Sequence, residues 1–329
     1  MRPIKHHYIP EFYLKRWADR PDPRLCQFSR PYDRVRPLRV APGGTGYVNR
    51  LYALRGFPDE LAQQVEEKFF KVVDDGAAVA LGLFEAHGSS AKLSVNQRSA
   101  WSRFLLSLLA RAPEDVEAFR EVWAAQTADF SPEAEAEYAA TRGPADPATL
   151  AEFAAGRPLA DREREVFQAF ISLMDNPSIG GRLNGHPFRV LDMPAEAPEL
   201  LTSDRPIVRN HSGLGAPQGH MALPIGPRRL FVTAPDRGYL DTVERFDRRR
   251  LAMEMNRQVV QHAKDYAYGR TDEALPFVQK HFGTLQEPRL ITMAMIDRMR
   301  KRAADEAERS RGTGWHALLA ANVRSSERG

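Results

Sequence analysis

The sequence predicts an α+β fold, mainly α-helical, with two short antiparallel β regions. Short β-prone runs cluster between Pro and Gly breaks over 24–55 and again over 186–234. Between them, over 59–175, apolar residues recur at helical spacing.

The chain opens on KHHYIPEFYLKRW, residues 5–17. Pro10 suits the first helical position and pushes Ile9 into extended geometry, which predicts a short helix over 10–17 after an extended lead-in of His6, His7 and Tyr8. The runs LCQFSR, VRPLRVA and VNRLYALRG read as a small sheet ending near Gly56. A long helix over 59–84 follows, with Leu61, Val65, Phe69 and Val72 as its apolar face. SVNQRSAWSRFLLSLLARAP gives a second helix that presents Trp101, Leu105 and Leu108 and stops at Pro113; these two should pack together. The segment 114–178, broken at TRGPADP and AGRPLAD, reads as peripheral helices. After Gly180, HPFRVLDM, LLTSDRPIVR, HMALPIGP and RRLFVTAP form the second sheet region. Helices return at DRRRLAMEMNRQVVQHAKDYAYG and around ITMAMIDRMRKRAADEAERSR, and RSSERG reads as a mobile tail. One domain over 1–270 and a C-terminal helical extension over 271–329 are expected, with neither repeat nor low-complexity tract.

With 329 residues and 43% hydrophobic content, the chain is long enough to bury a sizeable core. Lysine plus arginine at 47 against aspartate plus glutamate at 43 leaves a formal charge of +4, which permits nucleic acid or another anionic ligand without demanding one. The single Cys26 excludes a disulfide framework and a cysteine-rich zinc site, and fits a reducing, cytoplasmic compartment. MRPIKHHYIP lacks the apolar run of a signal peptide, and no stretch reaches the ~20 apolar residues of a membrane helix. There is no Walker loop, no dinucleotide GxGxxG, no HExxH and no GxSxG elbow; GGTG at 43–46 is a turn.

HHYIPEFYL, VEEKFFKVVDDGAA, RFLLSLLARAP, TSDRP, LPIGPRRLF and NRQVVQHAKDYAYG occur in the order seen in the DUF4238 family, which the chain resembles from residue 5 to about 270. The resemblance implies a shared fold and a shared polar constellation, not a reaction. Two positions depart from it: Arg205 stands where the family often has Asn, and Ala112 where it often has Thr.

The residue types give the chemistry. His6 and His7 suit proton transfer or metal ligation, but neighbours on an extended segment point in opposite directions, so at most one faces a given site. Glu67 and Asp74, seven apart, lie on one side of a helix beside Phe70 and Val73. Such carboxylates are desolvated, held by a cation, or, together with Glu66 and Asp75, merely a solvated face. The resemblance singles out Glu67 and Asp74. Asp204 in TSDRP either ligates a metal or accepts backbone amides; Arg111 either caps helix carbonyls or binds an anion. Asn256 is a poor helix former that should make a specific hydrogen bond. The basic runs DRRRL and RMRKR read as solvated faces.

Two functions follow. In the first, a metal-assisted phosphodiester hydrolase of nuclease type, the catalytic set is drawn from His6, His7, Tyr8, Arg111 and Asn256, while Glu67, Asp74 and Asp204 hold a divalent Mg, Mn or Zn ion. In the second, a non-catalytic binding or regulatory module, the same residues form a buried network that fixes the N-terminal segment onto the long helix.

Overall fold

A computed structural model of the chain describes residues 4–18, 21–126, 130, 132–210, 216 and 219–285. These belong to a unit that ends at Pro288; a second unit, Arg289–Gly329, which includes the expected helix near ITMAMIDRMRKRAADEAERSR and the RSSERG tail, lies outside the described residues. The chain order is β1 (Lys5–His7), α1 (Glu11–Leu14), β2 (Leu25–Ser29), β3 (Arg36–Val40), β4 (Tyr47–Asn49), α2 (Asp59–Ala62), α3 (Lys71–His87), α4 (Val95–Ala110), α5 (Pro113–Gln126), α6 (Pro132–Thr141), α7 (Leu150–Gly156), α8 (Leu159–Met174) and α9 (Pro177–Gly185). Then come β5 (Phe188–Asp192), β6 (Thr202–Ser203), β7 (Val208–Arg209), β8 (Met221–Gly226), β9 (Arg229–Thr233), α10 (Arg237–Arg245), α11 (Arg248–Gln261), β10 (Ala267–Gly269) and α12 (Leu275–His281). The fold is α+β and the strand pairings among the described residues are antiparallel. No helix among these residues is long and apolar enough to cross a membrane.

The two β regions are tied together rather than separate. One sheet runs β3-β2-β10-β6, so it takes β6 from the second region and β10 from beyond it; the other runs β5-β9-β8-β7, and β1 pairs with β4. The N-terminal segment is pinned across this junction. The Tyr13 hydroxyl donates to the Pro224 carbonyl at 2.7 Å and lies 2.7 Å from Thr202 Oγ1, while the Trp17 indole donates to the Leu200 carbonyl at 2.7 Å. Pro10 occupies the N-cap of α1 rather than the first helical position. Val278 and Phe282 bring the end of α12 into a core with Cys26, Phe28 and Val260.

The helix expected over 59–84 is broken. α2 ends at Ala62, a π-helical turn covers Glu66–Phe70, and α3 continues from Lys71. The expected core face holds only at Val65, which is buried: Leu61 is 45% and Val72 61% exposed and Phe69 is half-buried, whereas Phe70, Val73, Ala77 and Phe84 are buried. Two α turns need about seven residues, but a π turn takes up roughly one more, so the inward face passes from Phe69 and Val72 to Phe70 and Val73. The expected pairing with α4 holds. Trp101, Leu105 and Leu108 are buried, and the helices approach so closely that a Cβ on Gly76 would sit 2.7 Å from Ala100 Cβ. Pro113, expected only as a stop, opens α5. Of the helices read as peripheral, α6 and α7 bury no residue, but α8 buries Phe167, Phe170 and Met174.

The helix expected to run through Gly269 ends at Gln261, and Ala267–Gly269 is a strand. Asp204 supplies the reason. Its Oδ1 accepts from the Lys264 amide at 2.9 Å, and its Oδ2 from the Asp265 and Tyr266 amides at 2.6 and 2.9 Å, which draws that backbone out of the helix and into the sheet.

Candidate functional site

β1 separates its two histidines as the alternation of an extended chain requires. His6 is fully buried. Its Nδ1 accepts from the Tyr52 amide at 2.9 Å, so Nε2 carries the proton and donates to Gln63 Oε1 at 2.5 Å. Both ring nitrogens are thereby committed, and burial lowers the pKa. His7 points the other way, its ring 5.6 Å from that of Tyr47, with a hydrogen bond to the Gly43 backbone and a buried Nε2 that has no partner. Burial lowers its pKa first; the charge on Glu11 raises it, and those on Lys5 and Arg111 lower it.

Arg111, at the C-terminus of α4, is 0% exposed and does not cap carbonyls. Its Nη1 donates to Asp74 Oδ1 at 3.0 Å, and its guanidinium lies 5.8 and 5.7 Å from the ring centroids of Phe70 and Phe104. Nε and Nη2 are buried without partners. The Tyr52 hydroxyl donates to the Arg111 carbonyl at 2.8 Å, which ties the loop after β4 to this point. Burial raises the pKa of Asp74, and Arg111 opposes the rise.

The second carboxylate is Glu66, not Glu67. Glu67 is exposed, while Glu66 has a buried, unpartnered Oε2. Burial pushes the Glu66 carboxyl up to about 7; the charge on Asp74 adds to this and that on Arg111 subtracts. The π turn explains the exchange, because the residue that shares a face with Asp74 lies one position further back than in an unbroken α-helix. Gln63 Nε2 is a further buried donor without a partner. Glu66, Asp74 and Arg111 therefore form one centre that joins the π turn, α3 and α4; the Arg111 charge also acts on His7 of β1, while Gln63 is bonded to His6.

Besides Glu67, four expected residues lie outside it. His6 belongs to the scaffold beneath. The Asp204 oxygens hold the three amides after α11; no hydrogen bond or ion pair among the described residues joins it to Glu66, Asp74 or Arg111, and burial pushes its carboxyl up to about 6 despite the amides. Tyr8 is 4% exposed, and burial and the neighbouring Tyr268 and Asp204 raise its hydroxyl far above the usual range. Asn256 makes the specific bonds expected of it, its Oδ1 accepting from the Leu201 amide at 2.7 Å and its Nδ2 donating to the Glu199 carbonyl at 2.8 Å. Arg205, one of the two departures from the family pattern, is held at 2.5 Å by both Glu114 and Asp115. Among the described residues no group of three or more His, Cys, Asp or Glu side chains is arranged to hold a metal ion. Cys26 is buried with its thiol pushed up to about 11, which suits no nucleophile near neutral pH.

Comparison with known proteins places the chain. Residues 5–273 match the family described as Protein of unknown function (DUF4238), and the chain belongs to that family. No curated protein and no solved structure matches it.

Proposed function

We propose that this member of the DUF4238 family cleaves phosphodiesters by proton transfer at the His7–Glu66–Asp74–Arg111 centre, with RNA as the substrate class. One observation carries the reading. A fully buried guanidinium keeps two donors unpartnered in the same centre as a carboxyl with a pKa of about 7 and an unpartnered oxygen. Buried donors and acceptors are nearly always satisfied, so such a set points to a ligand. Arg111 would hold the non-bridging phosphate oxygens, with Asp74 orienting it. His7, neutral through burial, would take the proton of the 2′-hydroxyl; the new bond joins that oxygen to phosphorus, the bond from phosphorus to the 5′-oxygen breaks, and Glu66 protonates the leaving oxygen.

The experiment is incubation of the protein with RNA and with DNA of the same sequence in EDTA and in Mn²⁺. RNA cleavage in EDTA to cyclic phosphate ends, with DNA left intact, is the expected result. Cleavage of both only in Mn²⁺ would favour a cation held by the carboxylates, the metal-assisted form of the same reaction. A second reading, a non-catalytic module, draws on the committed hydrogen bonds of His6, Asp204 and Asn256, and cleavage of neither substrate under either condition would favour it.

A further inference from the structure

Away from this centre, α5, α7 and α8 border a cleft of about 280 Å³, near the lower end of the volumes that take small ligands. Its charged lining is unbalanced. Arg157 is bound in a bidentate pair to Glu165 at 3.0 and 2.6 Å, and Arg55 reaches Glu117 at 2.8 Å. Arg120, only 8% exposed, is held far more loosely. Its Nη1 reaches Glu117 Oε2 at 3.3 Å, and its Nη2 reaches the Ala53 carbonyl and Glu163 Oε2 at 3.4 Å each. Its Nε has no hydrogen bond, although Glu163 Oε1 is 3.4 Å away. Every contact is longer than the ~2.7–2.9 Å of a well-made charge-assisted bond, so this guanidinium is buried and under-bonded. At the rim, Arg162 is exposed and has no carboxylate partner among the described residues.

The rest of the lining is apolar. α7 buries no residue of its own, yet Ala151, Ala154 and Ala155 line the cleft with Trp123, Leu159 and Val166. At helical spacing those alanines make one smooth face, and their small side chains leave the room that the cleft occupies.

We propose that this cleft binds a small amphipathic anion, an aryl or medium-chain carboxylate, with its acid group on Arg120 and Arg162 and its apolar body between Trp123 and the alanine face of α7. A carboxylate would supply the short acceptor that Arg120 lacks, and the apolar wall would take a body that prefers to leave water. The site is independent of the Arg111 centre.

The test is calorimetric titration of the full chain with naphthoate, with decanoate and with the neutral isostere naphthalenemethanol. Saturable binding of at least one carboxylate is expected, with the alcohol weaker by about tenfold or more. Ala154→Trp, which fills the cleft with a large ring, should abolish that binding while leaving the unfolding midpoint nearly unchanged. Arg162→Ala, at an exposed position, should weaken it several-fold without affecting the fold. Failure of both carboxylates to bind up to millimolar concentration would overturn the proposal. So would equal binding of the alcohol, or wild-type binding by the folded Ala154→Trp variant.

Discussion

Glu66 differs from Glu67 in what surrounds its carboxyl, and that difference makes it titrate. Its pKa rises from the ordinary 4.5 to about 7, chiefly through burial. Between those two values the unfolded chain is ionised while the native chain keeps the proton, so unfolding releases it and stability falls as pH rises, levelling off above about 7. Asp204 contributes with the same sign up to about 6, whereas the lowered pKa values of His6 and His7 give stability that is lost as pH falls below 6.5. Glu66→Gln isolates the glutamate. Relative to wild type, the variant should gain about 1–2 kcal/mol between pH 4 and pH 8 after allowance for solvent screening, read from urea unfolding across pH. Arg111 should behave as half of a buried pair: Arg111→Met leaves Asp74 without its cation and should cost about 3–5 kcal/mol, most of it recovered in the double variant with Asp74→Leu. Asp74 and Arg111, which the structure pairs, were legible in the sequence as residue types suited to such a centre. The choice of Glu67 was not, because spacing arguments assume an unbroken α-helix, and nothing in VEEKFFKVV announces a π turn.

At the scale of elements, that turn sets which face of α3 meets α4. Deleting Lys68 removes the extra residue, which converts the turn towards an α turn and leaves Glu66 seven residues before Asp74, on the face it already shares. The deletion should therefore cost no more than about 1–2 kcal/mol, with far-ultraviolet circular dichroism showing helix content retained. The end of α11 has a comparable dependence on one side chain. Asp204→Ala orphans three backbone amides and should cost at least about 3 kcal/mol, and hydrogen exchange at Lys264, Asp265 and Tyr266 should rise first. This is also why a helix running to Gly269 could not be corrected from sequence. The group that ends the helix lies sixty residues upstream, and apolar periodicity through QVVQHAKDYAYG carries no sign of it.

Across the whole molecule, the centre exists only once distant segments have docked. His7 arrives on β1, whose neighbour His6 is anchored by Tyr52 and Gln63; Glu66 arrives on the π turn, Asp74 on α3 and Arg111 at the end of α4. The α+β class and the pairing of α3 with α4 were legible because they follow from local patterning. The weave of β6 and β10 into one sheet was not, because strands of two and three residues carry too little pattern to assign partners. Docking and chemistry can be separated by comparing neighbours that differ only in which way they face. The most direct measurement is the rate of RNA cleavage in EDTA by wild type, Glu66→Gln and Glu67→Gln, all folded as judged by unfolding midpoint. Glu66→Gln should lose about a hundredfold or more, as expected for removal of a general acid, and Glu67→Gln should stay within about twofold of wild type. Loss of cleavage in Glu67→Gln with retention in Glu66→Gln would contradict the assignment of the centre.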